Sequence, residues 1–296
     1  MLKHIAASIA YYSGIPFLIR ELLQRKKVTI ILYHDIDAEL FKKHITELSR
    51  RYNIIGLQDY IRVRRDHSAF KLPKKPLIIT FDDGHKNNYN LLPVIKKYNI
   101  PVTIFLCSSI VDTNRHYWFI RSYKEIPFRN FRKMSDEKRI ETLREQGFEE
   151  NKEFETRHAL NKDELLEMSE YVDFQSHTKY HPILPSCSNF RAEAEICGSK
   201  AELEEKFGLR VNSLSYPNGD YSQRDINLTK QAEYEAGITV DLGFNSVDTD
   251  SYRLKRICVD DGAGIYVLLL QVCGLWSLFK NLFAKKEFGY IKSYQD

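Results

Sequence analysis

The 296-residue sequence has little of several features that assign a protein to a common functional class. Its five cysteines are odd in number and include no Cys-x-x-Cys pair, which argues against cysteine-based zinc and redox motifs and favours a reduced, cytoplasmic setting. The sequence also lacks a large excess of positive or negative charge, because it has 44 basic and 40 acidic residues and its basic runs are short. We therefore predict no nucleic-acid binding.

The two ends of the chain lack a clear targeting signal. Residues 1–23 are partly apolar and aromatic, but no small-residue cleavage site follows them, so we predict no signal peptide. Residues 262–279 are barely long enough for a membrane span, and three glycines interrupt them, which favours a buried or surface-bound helix. Lys280, Lys285 and Lys286 would suit anionic lipid. We expect a cytoplasmic monomer whose terminal extensions make at most peripheral contact with the inner face of the membrane.

Short apolar runs rich in β-branched residues alternate with helical patterns along the chain. The predicted strands are residues 28–33, 76–81, 102–106, 172–175, 211–215 and 238–240. The predicted helices are residues 41–50, 88–98, 161–170, 193–207 and 226–235. This alternation is typical of βα units around a parallel sheet.

The strand pattern is lost between residues 112 and 156, where aromatic and charged residues predominate. We interpret this stretch as a partly helical insertion within one domain, because no flexible linker or internal repeat divides the chain. The sequence therefore predicts a helical N-terminal extension over residues 1–27, a main domain over residues 28–260 and a helical C-terminal extension over residues 261–296.

Two adjacent carboxylates, Asp82 and Asp83, follow the predicted strand 76–81 directly and precede Gly84. Adjacent carboxylates repel each other unless a cation lies beside them. Residues just past the carboxyl end of a parallel strand line the active-site face of α/β proteins. The alternative is an ordinary turn, for which Asp-Asp-Gly is also suited.

Two histidines, His177 and His181, follow the predicted strand 172–175. Imidazoles four residues apart can bind one zinc ion, although nine histidines make a chance pair common. Further polar clusters follow two more strands, the Tyr-Pro-Asn-Gly sequence at residues 216–219 and His34 after strand 28–33. Taken singly, these are also consistent with a β-turn and a structural histidine, but all four clusters lie at predicted strand ends.

The motif at residues 80–84 (Thr-Phe-Asp-Asp-Gly) and the His-Thr-x-x-His motif at residues 177–181 resemble those of the polysaccharide deacetylases of carbohydrate esterase family 4. The resemblance covers about residues 28–259 and implies a distorted (β/α)7 barrel. It implies that Asp82 is the catalytic base and that one divalent cation, for which we expect zinc, is bound by three residues. These ligands are Asp83, His177 and His181. The residues at the substrate acetyl group are Tyr216, Pro217, Asn218 and Gly219, with the Asn218 N–H facing its oxygen.

Two residues of the family pattern are absent. Ser215 stands where the third motif usually has an arginine that orients the base, and no histidine follows His181 to serve as general acid. The poly-N-acetylglucosamine and exopolysaccharide de-N-acetylases, which have a Tyr-His pair on the first strand, resemble this chain more closely. We therefore assign the acid to His34, and Arg256, in a run that resembles that subgroup's late Arg-Ile strand, is the candidate orienting arginine.

The resemblance implies a metal-dependent hydrolase that removes N-acetyl groups from an amino-sugar polysaccharide or oligosaccharide. Tyr216, Trp118 or Tyr117 could stack on the sugar ring, with burial in the core as the alternative. Two other functions remain open. The absent arginine and histidine would suit an inactive relative that binds metal and glycan, and the same site would serve hydrolysis of another amide, such as a lipid-linked formamido sugar.

Overall fold

The computed structural model describes residues 2–66, 71–120 and 128–276. Within these residues, one parallel sheet forms the centre of the molecule, and its strand order is β7-β6-β5-β4-β3-β1-β8, with β2 beside the start of β3. The strands are β1 (Thr29–Tyr33), β2 (Asn53–Ile54), β3 (Pro76–Phe81), β4 (Val102–Leu106), β5 (Val172–Ser176), β6 (Ser213–Ser215), β7 (Ala236–Ile238) and β8 (Ile257–Cys258). Every residue of β1, β3 and β4 is buried, as expected where helices cover a parallel sheet.

The segment that leads into β8 joins the two ends of the sheet. Leu254 exchanges backbone hydrogen bonds with β7, through the N–H of Thr239 and the carbonyl of Gly237. A few residues later β8 pairs with β1, and the Val259 N–H bonds the Leu32 carbonyl. The sheet thus curves into a distorted barrel of seven parallel strands, which confirms the predicted fold class.

Helices cover the outside of this barrel and its two chain ends. In the described residues the α-helices are α1 (Leu2–Tyr12), α2 (Ile15–Leu18), α3 (Ala38–Ser49), α4 (Leu57–Arg65), α5 (Leu92–Tyr98), α6 (Phe128–Arg132), α7 (Asp136–Glu145), α8 (Lys162–Met168), α9 (Asn189–Phe207), α10 (Gln223–Gln231) and α11 (Ile265–Val272). Shorter 3-10 or π-helical turns lie at Ile19–Leu23, Gln24–Lys26, Lys86–Leu91, Leu184–Ser186 and Pro217–Gly219. The five predicted helices correspond to α3, α5, α8, α9 and α10 with shifted ends.

Local sequence explains where these helices begin. The side chain of Asn161 accepts the N–H of Glu164, and the Glu164 carboxylate accepts the N–H of Asn161, so a capping box starts α8. The predicted helix 88–98 is a 3-10 turn followed by α5, because Pro93 near the start of α5 has no N–H for an interior helical bond.

The predicted insertion contains α6 and α7, and its described residues form no strand. Its apolar side chains form a separate small core with Ile183; the insertion members are Trp118, Phe131, Leu143 and Phe148. Residues 121–127 lie outside the described residues.

The two ends of the chain pack on each other. Tyr11 and Tyr12 of α1 contact Tyr266 of α11, and the buried amide of Gln24 donates to the Val272 carbonyl. Most of α11 is buried, so of the two alternatives, a buried or a surface-bound helix, the buried one holds for Ile265–Val272. Within the described residues, no helix combines the length and the apolar character needed to cross a bilayer. Residues 277–279 and the three lysines that follow lie outside these residues, and the division into three regions stays a prediction.

Candidate metal and catalytic centre

The polar clusters expected at strand ends meet at one rim of the barrel. Because all the paired strands run parallel, the residues that follow β1, β3, β5 and β6 project from the same end. A cavity of about 730 Å³ opens there. Its walls include His34, Asp82, Asp83, His177, His181 and Asn218. The sequence-predicted residues are thus brought to one place, although four of them do not line the cavity itself: Tyr216, Pro217, Gly219 and Arg256.

Asp83, His177 and His181 converge, and all three are buried. The Oδ1 atom of Asp83 lies 3.5 Å from Nε2 of His177 and 3.5 Å from Nε2 of His181. Two zinc–ligand bonds of about 2.1 Å at a tetrahedral angle would separate their ligand atoms by about 3.4 Å. The spacing therefore suits one small cation bound by the three side chains.

The hydrogen bonds of these residues also fit a cation. In the described part of the chain, the buried Oδ1 of Asp83 has no hydrogen-bond partner, which is costly for a carboxylate oxygen unless a cation satisfies it. Nδ1 of His177 lies 2.7 Å from the Ser215 carbonyl and must carry the proton to donate to it. The lone pair of Nε2 then points toward Asp83, as in metal-binding histidines.

The charge states of Asp83 and His181 also suit the binding of a cation. Burial raises the pKa of Asp83, but a hydrogen bond from His85 and the charges of His181, His85 and His177 outweigh burial and hold the pKa well below its ordinary value. Burial lowers the pKa of His181 to about 3. At neutral pH the site therefore offers one carboxylate and a neutral imidazole at His181, which are the forms that bind metal.

The backbone at two of the three converging residues is unusual. Asp83 has a φ of 72° and His181 a φ of 58°, both in the left-handed region that few residues other than glycine adopt. Such conformations are retained when the surrounding structure fixes them, and they are common at functional sites. Tyr117 and Trp118 help to fix them, because the Tyr117 hydroxyl donates to the Asp83 carbonyl and the Trp118 indole donates to the His181 carbonyl.

Arg256 lies directly against Asp82. Its guanidinium is fully buried and donates to both carboxylate oxygens, with distances of 2.7 Å to Oδ1 and 2.8 Å to Oδ2. Ser215, at the position where the family pattern has arginine, donates its hydroxyl to Asp82 Oδ2 at 3.2 Å and accepts from Arg256 at 2.8 Å. Thus the arginine beside the carboxylate comes from the end of the barrel sequence, and it is the residue named as the candidate orienting arginine.

This arrangement keeps Asp82 ionised. Burial raises the pKa of its carboxyl, but the charge of Arg256, that of His177 and the hydrogen bonds from Arg256 together lower it below its ordinary value. Asp82 Oδ2 lies 3.7 Å from Nε2 of His177, next to the candidate ligand set. An ionised carboxylate in this place can accept a proton.

His34 lines the cavity at the end of β1, the strand that pairs with β3. Its backbone is fixed on both sides, because Asp261 accepts its N–H at 3.1 Å and the Asn88 amide donates to its carbonyl at 2.8 Å. The side chain is half-buried and lines the same cavity as Asp82 and the candidate ligands.

The third motif forms a tight turn at the cavity wall. The Gly219 N–H bonds the Tyr216 carbonyl, and a Cβ on Gly219, which has a φ of 71°, would lie 2.2 Å from a Val240 methyl carbon. Asn218 at the centre of the turn has a φ of 56° and lines the cavity. The turn thus presents Asn218 to the site while Pro217 is buried behind it.

All three candidate aromatic side chains, Tyr216, Trp118 and Tyr117, are buried, so the alternative of burial in the core holds and none of them stacks on a sugar. The Tyr216 ring stacks on Tyr221, and its hydroxyl donates to the Tyr252 carbonyl. Their hydroxyl and indole N–H groups donate to backbone carbonyls, so these aromatic residues stabilise the backbone around the site.

A sequence profile that describes polysaccharide deacetylases matches residues 70–237, more than half of the chain. The chain belongs to the polysaccharide deacetylase family. It is accordingly a hydrolase that acts on amide bonds of N-acetylated sugars.

Named relatives of this deacetylase share about a quarter of its residues. The Bacillus subtilis protein YxkH is 25% identical over 246 residues, which cover 80% of this chain and 72% of YxkH. The poly-beta-1,6-N-acetyl-D-glucosamine N-deacetylase of Staphylococcus epidermidis is 26% identical over 240 residues, which cover 78% and 70% of the two chains. The Streptococcus pyogenes deacetylase PplD, solved with acetate, is 20% identical, has a TM-score of 0.62 and matches 83% of this chain and 98% of its own, which shows the shared fold.

Several residues that support the deacetylase site had no signal in the sequence. The buried carboxylate of Glu195 on α9 accepts the N–H groups of Lys179 and Tyr180, between His177 and His181. His85 lies 3.1 Å from Asp83 Oδ2 and orients that carboxylate. Phe119 packs on the His181 ring and lines the cavity. His85 follows Gly84 of the Asp-Asp-Gly motif and Phe119 follows Trp118, but neither residue belongs to a motif, and Glu195 is joined to its loop by the fold alone.

Proposed function

We propose that this deacetylase removes N-acetyl groups from a polymer of N-acetylglucosamine and depends on one divalent cation. The observation that supports this best is that a candidate proton acceptor and a candidate cation site lie side by side at one rim of the barrel. A carboxylate held by Arg256 lies beside a buried carboxylate and two imidazoles that are spaced for a single ion. Hydrolysis of an unactivated amide needs both a proton acceptor and positive charge at the carbonyl oxygen.

Asp83, His177 and His181 would hold the cation, and zinc suits this combination of oxygen and nitrogen ligands. When bound, it supplies positive charge that polarises an amide carbonyl and makes water a stronger acid. The buried, unpaired Oδ1 of Asp83 is the atom that most requires it.

Asp82 acts as the general base in this proposal. Its lowered pKa leaves it ionised at neutral pH, so that it can take the proton of the attacking water. The two-point contact from Arg256 fixes the carboxylate plane, and the Ser215 hydroxyl fixes one oxygen further. Asn218, at the turn on the cavity wall, would donate its backbone N–H to the acetyl oxygen as negative charge develops there.

His34 acts as the general acid that protonates the departing amine. Replacing His34 with alanine should lower kcat by about 10² to 10⁴ while metal affinity stays unchanged, because the side chain is not among the three ligands. Steady-state rates together with the metal content of the dialysed protein check this result.

His116→Ala provides a matched control for that variant. His116 packs on Phe154 in the insertion and does not line the cavity, so its loss should leave kcat near the parental value. Full turnover in His34→Ala would show that another group protonates the amine.

The choice of substrate rests on the relatives and on the shape of the site. The Staphylococcus epidermidis relative is named for poly-beta-1,6-N-acetyl-D-glucosamine, and the open cavity has Phe119 and Ile120 on its wall, where apolar side chains suit the face of a sugar ring. Acetate release should be faster from beta-1,6-linked than from beta-1,4-linked N-acetylglucosamine oligomers of equal length. Equal or reversed rates would contradict the proposed linkage.

The alternative of an inactive glycan-binding relative rested on two absent residues. Two contacts speak against it: Arg256 donates to both oxygens of Asp82, as an orienting arginine would, and His34 lines the cavity beside Asp82. These placements favour an active enzyme. The alternative of another amide substrate has no comparable observation in its favour.

A further inference from the structure

An exposed apolar face lies at the N-terminal end of the chain. Eleven large hydrophobic side chains are exposed among the described residues, and seven of them fall within residues 9–23. These are Ile9, Tyr12, Ile15, Phe17, Leu18, Leu22 and Leu23. We call residues 9–27 the N-terminal face. Monomeric proteins seldom expose apolar side chains in so close a group unless the surface has a partner.

This segment is packed against the rest of the protein, so its side chains are not exposed merely because the chain terminus extends into solvent. Ala7 and Ala10 are buried where α1 packs on α11, and the buried amide of Gln24 bonds both Thr29 and Val272. Gly14, with a φ of 78°, turns the chain sharply between α1 and α2. The inner side of the segment is thus fixed to the barrel while its apolar outer side meets solvent.

A basic recess adjoins the apolar side chains. Its volume is about 530 Å³, and its walls are Tyr11, Tyr12, Gly14, Phe17, Arg20, Arg50 and Arg51. Arg50 and Arg51 share the single carboxylate of Glu47, and Arg20 shares Glu21 with Lys75. These four basic side chains are paired with only two carboxylates, which leaves net positive charge at the recess.

Three more basic side chains extend this charge. Arg25, Lys26 and Lys27 are consecutive and exposed, and only the buried Gln24 separates them from the apolar residues Leu22 and Leu23. Apolar side chains rimmed by lysine and arginine are the pattern of segments that lie in the interface of a membrane with anionic lipid.

We propose that the N-terminal face docks on a membrane that contains anionic phospholipid, with its apolar side chains among the acyl chains and a lipid phosphate in the basic recess. A second copy of the chain is a poorer occupant, because a two-fold interface would place the arginines of one copy against those of the other. A lipid phosphate instead complements the recess, since arginine binds phosphate in a two-point contact.

The topology lets the enzyme work in this position. Lys27 lies two residues before β1, and Arg50 and Arg51 lie just before β2, so the basic groups are at the amino ends of the strands. The catalytic cavity is at the carboxyl ends, at the opposite end of the barrel. A protein docked by the N-terminal face would therefore keep its cavity open to a polymer.

Co-sedimentation of the full chain with lipid vesicles tests the proposal. The protein should bind vesicles of phosphatidylcholine with phosphatidylglycerol, bind phosphatidylcholine alone much more weakly, and lose binding as salt is raised. The double variant Leu22→Ser/Leu23→Ser should lose affinity by about tenfold or more. The triple variant Arg25→Gln/Lys26→Gln/Lys27→Gln should lose the preference for anionic vesicles.

Phe190→Ser and Leu166→Ser are matched controls, because these exposed apolar residues lie on α9 and α8, away from the N-terminal face. They should bind vesicles like the parent, and all variants should deacetylate soluble oligomers at the parental rate. The proposal is overturned by parental vesicle binding in the double variant, by no binding to any vesicle, or by light scattering that shows a dimer which the double variant dissociates.

Discussion

Asp82→Asn should leave the metal bound and reduce turnover by about 10⁴. The amide has nearly the shape of the carboxylate but cannot accept a proton from water, so the base is lost while the ligand set remains. Kinetics on N-acetylglucosamine oligomers and elemental analysis of the dialysed protein give the two quantities. The expected outcome is a metal content near that of the parent and a rate close to background.

This variant should also be less stable, because Arg256 is fully buried and loses its counter-charge. Removing one partner of a buried ion pair typically costs about 3 kcal/mol of unfolding free energy, so rates must be measured well below the melting temperature. Asp173→Asn is the control, since Asp173 is a carboxylate on β5 that bonds Gln58 and Gln175 away from the cavity. It should retain parental turnover.

His181→Ala should release the metal and lose activity for that reason. It removes one of three ligands, and we expect metal affinity to fall by more than the 10- to 100-fold typical of groups that only orient a ligand. His85→Ala tests that comparison, because His85 contacts Asp83 without being one of the three converging residues. Competition with a chelator should rank the parent first, His85→Ala second and His181→Ala last.

The two variants together separate ligand from base. If Asp82→Asn lost the ion as completely as His181→Ala, the two aspartates would have been assigned the wrong roles. If His181→Ala retained the ion, the three converging side chains would not be the metal site.

The sequence predicted the long strands well and the short ones poorly. β3 and β4 coincide with their predicted bounds because continuous apolar runs mark them. β6 and β7 have three residues each and were placed up to two residues away, since so short a strand has no clear periodicity. The two-residue strand β2 and the helix α4 were missed, and β8 was indicated only by the resemblance of the run around Arg256 to a late Arg-Ile strand.

The candidate ligands were predictable because they occur in two short motifs. Asp83 belongs to the Asp-Asp-Gly motif and the two histidines lie within five residues of each other, and each motif directly follows a strand. Arg256 is 174 residues from Asp82, and only the resemblance to known deacetylases suggested that they meet. The sequence left two alternatives for the buried aromatic residues, because it does not show which carbonyl a hydroxyl or indole will find. Glu195 was missed for a similar reason: nothing in its local sequence shows that α9 passes behind the two histidines.

Mass spectrometry of N-acetylglucosamine oligomers incubated with the protein tests metal-dependent deacetylation most directly. Protein stripped of metal and then supplied with one equivalent of zinc should convert the oligomers to products lighter by one acetyl group at each site of reaction. The stripped protein and the zinc-supplied Asp82→Asn variant should leave the oligomer masses unchanged. Equal conversion by the stripped and the zinc-supplied protein, or no conversion by either, would contradict the proposed function.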